Sequence, residues 1–130
     1  MKRLSFPKEK RLVTNSQFKA VLARKLRVSD GLLTLFIAEN SCGWPRLGVS
    51  VGKSCGNAVM RNRLKRFLRE AFRQSQYQIP AGFDYLVMIS PESVKLNDSA
   101  DPREFVKQLT FNKVRDSFLA LVAKAVKKIG

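Results

Sequence analysis

Histidine is missing from all 130 residues. Its absence removes the side chain most often used to move protons near neutral pH. Cysteine is scarce: Cys42 and Cys55 have no metal-ligand spacing, and a single pair is no disulfide framework, so both read as free thiols in a reducing compartment. The 10 acidic residues are scattered and form no carboxylate cluster for a pair of metal ions. No Ser or Cys sits in a nucleophile context. Gly48, Gly52 and Gly56 recur every four residues, but neither a helix-opening GxGxxG nor a GK[ST] pattern accompanies them. No apolar run approaches the roughly 18 residues of a membrane span. The start, from Met1 to Pro7, lacks a hydrophobic signal region. These gaps argue for a binding protein of the cytoplasm, with no membrane association.

What the chain has in excess is positive charge. There are 25 Lys and Arg, giving a net charge of +15 and a pI near 10.5. Charge so far from neutrality destabilises the compact state by self-repulsion, so it points to a polyanionic partner, nucleic acid first. A membrane surface is the weaker option, because the basic helix described next carries no Trp and needs its apolar face for the core. Hydrophobic content of 45% is that of a globular protein, and the length suits one domain over residues 1–130.

The charge is concentrated in one stretch. From Met60 onward the apolar residues Met60, Leu64, Phe67, Leu68 and Ala71 fall on one face of a helix. Asn62, Lys65, Arg66, Arg69 and Arg73 collect on the opposite face, with Arg61 and Arg63 flanking the apolar stripe. Glu70 is the one acid among them. A merely solvated helix face would mix in acids at i,i+4 spacing, because close like charges repel by roughly 0.2–0.5 kcal/mol per pair. This helix can dock its apolar side on a sheet and turn its cations toward a polyanion. Asn57 is its expected N-cap, and its end is expected near Ser75 or Gln76.

Around it the chain alternates short elements. Residues 1–13 are a basic, irregular arm. Thr14 and Gln17 have the spacing of a capping box, opening a short helix through about Arg24 with Phe18, Val21 and Leu22 on one side. Arg24, Lys25 and Arg27 cluster at its end, and Asp30-Gly31 reads as a turn. Strands are expected over residues 32–38, 46–51 and 83–89. In the first, Leu33, Leu35 and Ile37 face the core, leaving Thr34 and Phe36 on the other side. In the second, Gly48 and Ser50 leave one face nearly bare, which suits the floor of a groove beside Phe36. The apolar run of the third suits a central strand. A polar loop follows Pro91, and Asp101-Pro102-Arg103-Glu104 is a helix start. A final helix places Val114, Phe118, Leu121, Val122 and Ala125 on one face. The order is α-β-β-β-α-β-α if a further strand lies between Ala38 and Leu47, or if one of the two early strands is split. One sheet with helices packed on it, an α/β (α+β) arrangement, accounts for the amphipathic faces.

The string from Gly56 to Arg73, with Arg46 to Lys53 before it and Arg11-Leu12-Val13 and Asn15 to Phe18 earlier, resembles the bacterial ribonuclease P protein family. The likeness covers about residues 6–90 well and the last helix loosely. It implies a single-domain two-layer sandwich like the second domain of ribosomal protein S5, with a left-handed βαβ crossover. It also implies that the chain is one subunit, one per RNA, of a ribonucleoprotein that removes the 5′ leader of precursor tRNA. Hydrolysis would be performed by the RNA with Mg²⁺ held mainly by that RNA and the substrate, and the protein alone would be inactive. The family's basic motif falls on Arg61, Asn62, Arg63, Lys65, Arg66 and Arg69, which with Lys53 and Arg73 are the candidates for contact with the catalytic RNA. The implied leader set is Phe18, Leu22, Thr34 and Phe36 together with Lys53, Arg61 and Asn62. Aromatics suit single-stranded RNA, where stacking contributes roughly 1–3 kcal/mol per base. Plain core positions are the weaker reading of Phe18 and Phe36.

The chain departs from the family where Leu22 replaces a frequent second aromatic and where Ser54 replaces a second lysine after Lys53. Residues 91–108 form a longer insertion than usual. Two other readings stay open: a ribosome-associated or DNA-binding basic structural protein without a processing role, and a nuclease acting on its own. A DNA reader would be expected to place base-reading side chains on a helix clear of the sheet.

Overall fold

A computed structural model describes residues 11–12, 15–30, 32–52, 57–89 and 109–129. Helix α1 spans Asn15–Ala23, followed by strands β1 (Arg27–Ser29), β2 (Leu33–Glu39) and β3 (Arg46–Ser50). Helix α2 (Ala58–Ser75), strand β4 (Phe83–Ile89) and helix α3 (Phe111–Ile129) complete the chain. The strands form one sheet in the order β1-β2-β4-β3. β1 and β2 are antiparallel, as are β2 and β4, while β3 and β4 run parallel through the α2 crossover.

The expected element order is present, but its extra strand is in neither of the expected places. It lies at Arg27–Ser29, rather than between Ala38 and Leu47 or within a split early strand. Three residues are too few to show an alternation, and in sequence Arg27 is indistinguishable from the cations that end α1. The hairpin forms because Asp30 organises the turn. Its Oδ1 accepts from the backbone N–H of Leu32 and of Leu33, both at 2.9 Å. The capping residue Thr14, the loop from Pro91 and the helix start at Asp101 lie outside the described residues. Thr110 precedes α3, and its Oγ1 accepts from Lys113 N at 3.2 Å, an N-cap pattern.

Strand alternation divides the sheet into two faces with different fillings. Leu33, Leu35 and Ile37 face α2 and α3, joining Leu47, Tyr85, Val87 and Ile89 in the main core. From α2 this core takes Leu64, Leu68, Ala71 and Phe72, and from α3 it takes Val114, Phe118, Leu121, Val122 and Ala125. The apolar face of α3 is therefore as its sequence prescribes, whereas the buried face of α2 is turned to take in Phe72 and leaves the expected Met60 and Phe67 only partly buried. β4 is an interior strand, which explains its near-continuous apolar run. Tyr85 is fully buried there and donates its hydroxyl to Pro80 O at 2.7 Å, and burial pushes its pKa up.

One charge is buried in that strand. Asp84, 5% exposed, accepts from Arg46 Nε at 2.7 Å and Nη2 at 2.6 Å, and from Asn40 Nδ2 at 2.8 Å. The bidentate pair crosses from β4 to its parallel neighbour at the start of β3 and fixes the register there.

The opposite face carries a small second cluster. Leu12, Val21, Ala38 and Leu86 are buried in it, with Phe18, Phe36 and Met88 packed against them. Leu12 N donates to Leu47 O at 2.9 Å, so the chain before α1 adds a short parallel bridge to the free edge of β3.

Candidate nucleic-acid interface

α2 opens as its sequence prescribes. Asn57 Oδ1 accepts from Met60 N at 3.1 Å, and the helix ends at Ser75. With Leu64, Leu68 and Phe72 turned to the core, Asn62, Arg66 and Arg69 are exposed and Arg61 and Lys65 half-buried. Arg61 Nε is buried without a hydrogen-bond partner among the described residues. A buried donor left unpaired costs about 1–3 kcal/mol, so an incoming acceptor would be stabilised there.

Two of the expected cations are occupied within the fold. Arg63 donates from Nη2 to Leu109 O at 3.2 Å, and its guanidinium lies 5.1 Å from the Phe67 ring centroid. It braces the segment leading into α3. Arg73 is paired with Glu70, one turn earlier on the same side of α2, through Nε at 2.9 Å and Nη2. The Arg73 guanidinium holds the Glu70 carboxyl below the usual carboxylate range.

The acids reinforce this division. Asp30, Glu39, Glu70, Asp84 and Asp116 are the carboxylates among the described residues, and each is engaged. Asp30 holds backbone N–H groups, and the others hold Arg24, Arg73, Arg46 and Arg115. Lys65, Arg66 and Arg69 have no carboxylate partner among the described residues. Nor does any group of three or more His, Cys, Asp or Glu there come together to hold a metal ion.

The α1 face holds the aromatic candidates. Phe36 and the buried Thr34 line a cavity of about 340 Å³ with Arg27, Ser29 and Met88. Thr34 Oγ1 donates to Ser29 Oγ at 3.4 Å. Phe18 lines a second depression, about 310 Å³, with Arg11, Leu12, Gly48 and Arg69. Leu22 is 39% exposed on α1. Lys53 lies outside the described residues. The basic helix and the aromatic face thus meet where Arg69 borders Phe18.

The strand neighbours of Phe36 differ from those expected. Gly48 and Ser50 are not on the strand next to it, because β4 intervenes: Phe36 pairs with Leu86, and Leu86 pairs with Gly48. Nor is Gly48 an open floor. A Cβ there would lie 2.9 Å from Leu12 Cδ1 and 3.0 Å from Phe18 Cε1, so the missing side chain admits these two residues. Arg27, Ser29 and Met88 are neighbours of Phe36 that the sequence pattern does not announce. Their signal is the hairpin register, which sets Arg27 opposite Phe36 and Ser29 opposite Thr34.

The family profile of ribonuclease P matches residues 6–126. The chain belongs to the ribonuclease P protein family. It is similar to the ribonuclease P protein component of Haemophilus influenzae, at 40% identity over 101 residues, covering 77% of this chain and 84% of that one. The same-named protein of Escherichia coli O157:H7 is 39% identical over the same length. Among solved structures, the ribonuclease P protein of Thermotoga maritima superposes with a TM-score of 0.73 at 30% identity, covering 88% of this chain and 96% of that one. The Staphylococcus aureus protein gives 0.72 at 25% identity, covering 89% and 94%. The ribonuclease P protein fold therefore extends through the last helix, which the sequence motifs match only loosely.

Proposed function

We propose that this chain is the protein subunit of a ribonuclease P holoenzyme, an endoribonuclease that removes the 5′ leader of precursor tRNA. The exposed side of α2 binds the catalytic RNA, and the α1 face of the sheet holds the leader. The observation that carries this reading is the junction of the two surfaces: Arg69 of the basic helix and Phe18 of the aromatic face border one depression. Arg61, Asn62, Lys65, Arg66 and Arg69 supply cations and a donor to RNA phosphates, and the sequence motif assigns Lys53 the same role. Phe36, Phe18 and the exposed Leu22 offer apolar planes and contacts to unpaired bases, and Thr34 a hydroxyl at the cavity wall. Arg63 acts at one remove, by holding the segment before α3 against α2, and Arg73 by pairing with Glu70.

Chemistry is assigned to the RNA. Mg²⁺ supplies the activated nucleophile and charge stabilisation when bound by RNA and substrate. The protein's part is positional, with the holoenzyme containing one protein per RNA and acting in the cytoplasm.

The test is the Phe36→Ala variant in reconstituted holoenzyme. Phe36 stands on the face away from the main core, half-buried beside Met88. Its loss should weaken affinity for precursor tRNA by about 1–3 kcal/mol and leave mature tRNA, which has no leader, nearly unaffected. Equal loss for both tRNAs, together with the fall of roughly 3–5 kcal/mol in stability typical of a core Phe→Ala, would make Phe36 a packing residue and defeat the leader assignment.

A further inference from the structure

The positive charge is not confined to α2. At the far edge of the sheet, β1 packs against α3, and two hydrogen bonds tie this edge to the helix. Lys128 Nζ donates to Arg27 O at 3.2 Å, and Ser117 Oγ donates to Asp30 Oδ2. Between these anchors stands Lys124. Seven and eleven residues after Ser117, Lys124 and Lys128 fall within about 20° of it on the helix wheel, so all three share one stripe. Lys124, Lys128 and Arg27 are exposed, and so is Lys25, two residues before Arg27. The acid on this stripe's side is Asp30, whose oxygens hold Leu32 N, Leu33 N and Ser117 Oγ. A row of cations therefore borders the outer edge of the sheet.

This row is continuous with the aromatic cavity. Arg27 belongs to both: it lines the cavity with Phe36 and Thr34, and its carbonyl carries Lys128. A strand of RNA crossing the α1 face from β3 toward β1 traverses four strands, about 15 Å at roughly 4.8 Å spacing. It would leave the sheet over Arg27 and meet Lys124 and Lys128. Backbone phosphates recognise such a row without regard to sequence, which suits a leader of variable sequence.

We infer that Lys25, Arg27, Lys124 and Lys128 form an exit track that binds the phosphates of the upstream part of the leader, beyond the nucleotides held at Phe36. This inference rests on the leader assignment above. It assigns an electrostatic role to the end of α3, apart from the α2 surface.

The experiment measures precursor tRNA binding by reconstituted holoenzyme with leaders of about four and about sixteen nucleotides, lengths that bracket the site sizes of single-strand grooves. The wild-type protein is compared with a Lys124→Gln/Lys128→Gln double variant and with Phe36→Ala. The wild-type protein should bind the longer leader more tightly. The double variant should bind the longer leader roughly three- to tenfold more weakly, with a salt slope smaller by about 0.7 for each phosphate it no longer neutralises, and should match wild type on the shorter one. Equal weakening on both leaders, no weakening on either, or no length dependence in the wild type would each overturn the track. Phe36→Ala separates the two ideas. If it lowers the preference for precursor over mature tRNA while the lysine variant does nothing, the track fails and the leader cleft stands. If Phe36→Ala leaves that preference intact, the leader assignment fails and the track falls with it.

Discussion

Replacing Gly48 by alanine adds one methyl group at a crowded point of the α1 face. The new Cβ would stand 2.9 Å from Leu12 Cδ1, 3.1 Å from Leu12 Cβ and 3.0 Å from Phe18 Cε1. The first contact can be relieved by a rotation at the end of the Leu12 side chain. The other two need more: the Phe18 ring must turn, and Leu12 Cβ must move although its backbone N–H is tied to Leu47 O. Overpacking of this kind costs about 1–3 kcal/mol. Against it, alanine reduces the freedom of the unfolded chain relative to glycine, a gain of about 0.4–1 kcal/mol. The net loss is roughly 1 kcal/mol, or a fall in Tm of about 3–5 °C for a chain of this length. The displacement of Phe18 should also reduce the holoenzyme's preference for precursor over mature tRNA. Calorimetry and tRNA binding on the same preparation check both. An unchanged or higher Tm with unchanged preference would refute the reasoning, because Leu12 and Phe18 would then be yielding at no cost.

Other outcomes follow from the same geometry. Arg66→Ala should leave stability within about 0.5 kcal/mol of wild type. It should flatten the salt dependence of binding to the catalytic RNA by up to about 0.9 per duplex phosphate contact, and an unchanged slope would mean that Arg66 is only solvated. Arg63→Ala should instead lower stability by about 1 kcal/mol in urea titrations, since Leu109 O loses its donor and Phe67 its cover. Asp84→Ala leaves Arg46 without its partner and should cost about 3–5 kcal/mol by the same titration. Glu70, with its carboxyl held below the usual range by Arg73, contributes stability at neutral pH that is lost as pH falls through its depressed pKa. Glu70→Gln should therefore flatten the acid limb of Tm against pH. The purified protein, freed of RNA, should not cleave precursor tRNA at any Mg²⁺ concentration.

Much is legible in the sequence because it is local. The faces of α2 and α3 follow from a 3.6-residue period that does not depend on what they pack against. Asn57 is a cap because of its own side chain and the N–H groups just after it. The side of β2 that carries Phe36 follows from alternation alone. The concentration of unpaired cations on α2 is visible as a shortage of acids at helical spacing. The tertiary structure decides what depends on which strands are neighbours. The sequence cannot say that β4 comes between β2 and β3, since a parallel pair is made through a helix and not through a turn. That arrangement puts Leu86, rather than Gly48, beside Phe36, and it leaves Gly48 free to receive Leu12 and Phe18. Tertiary packing also separates the arginines: Arg63 and Arg66 belong to one basic string and are both exposed, yet Arg63 bonds Leu109 O just before α3 and Arg66 does not. β1 is hidden for the same reason. Three residues carry no pattern of their own, and they become a strand through the turn at Asp30, the free edge of β2 and the end of α3.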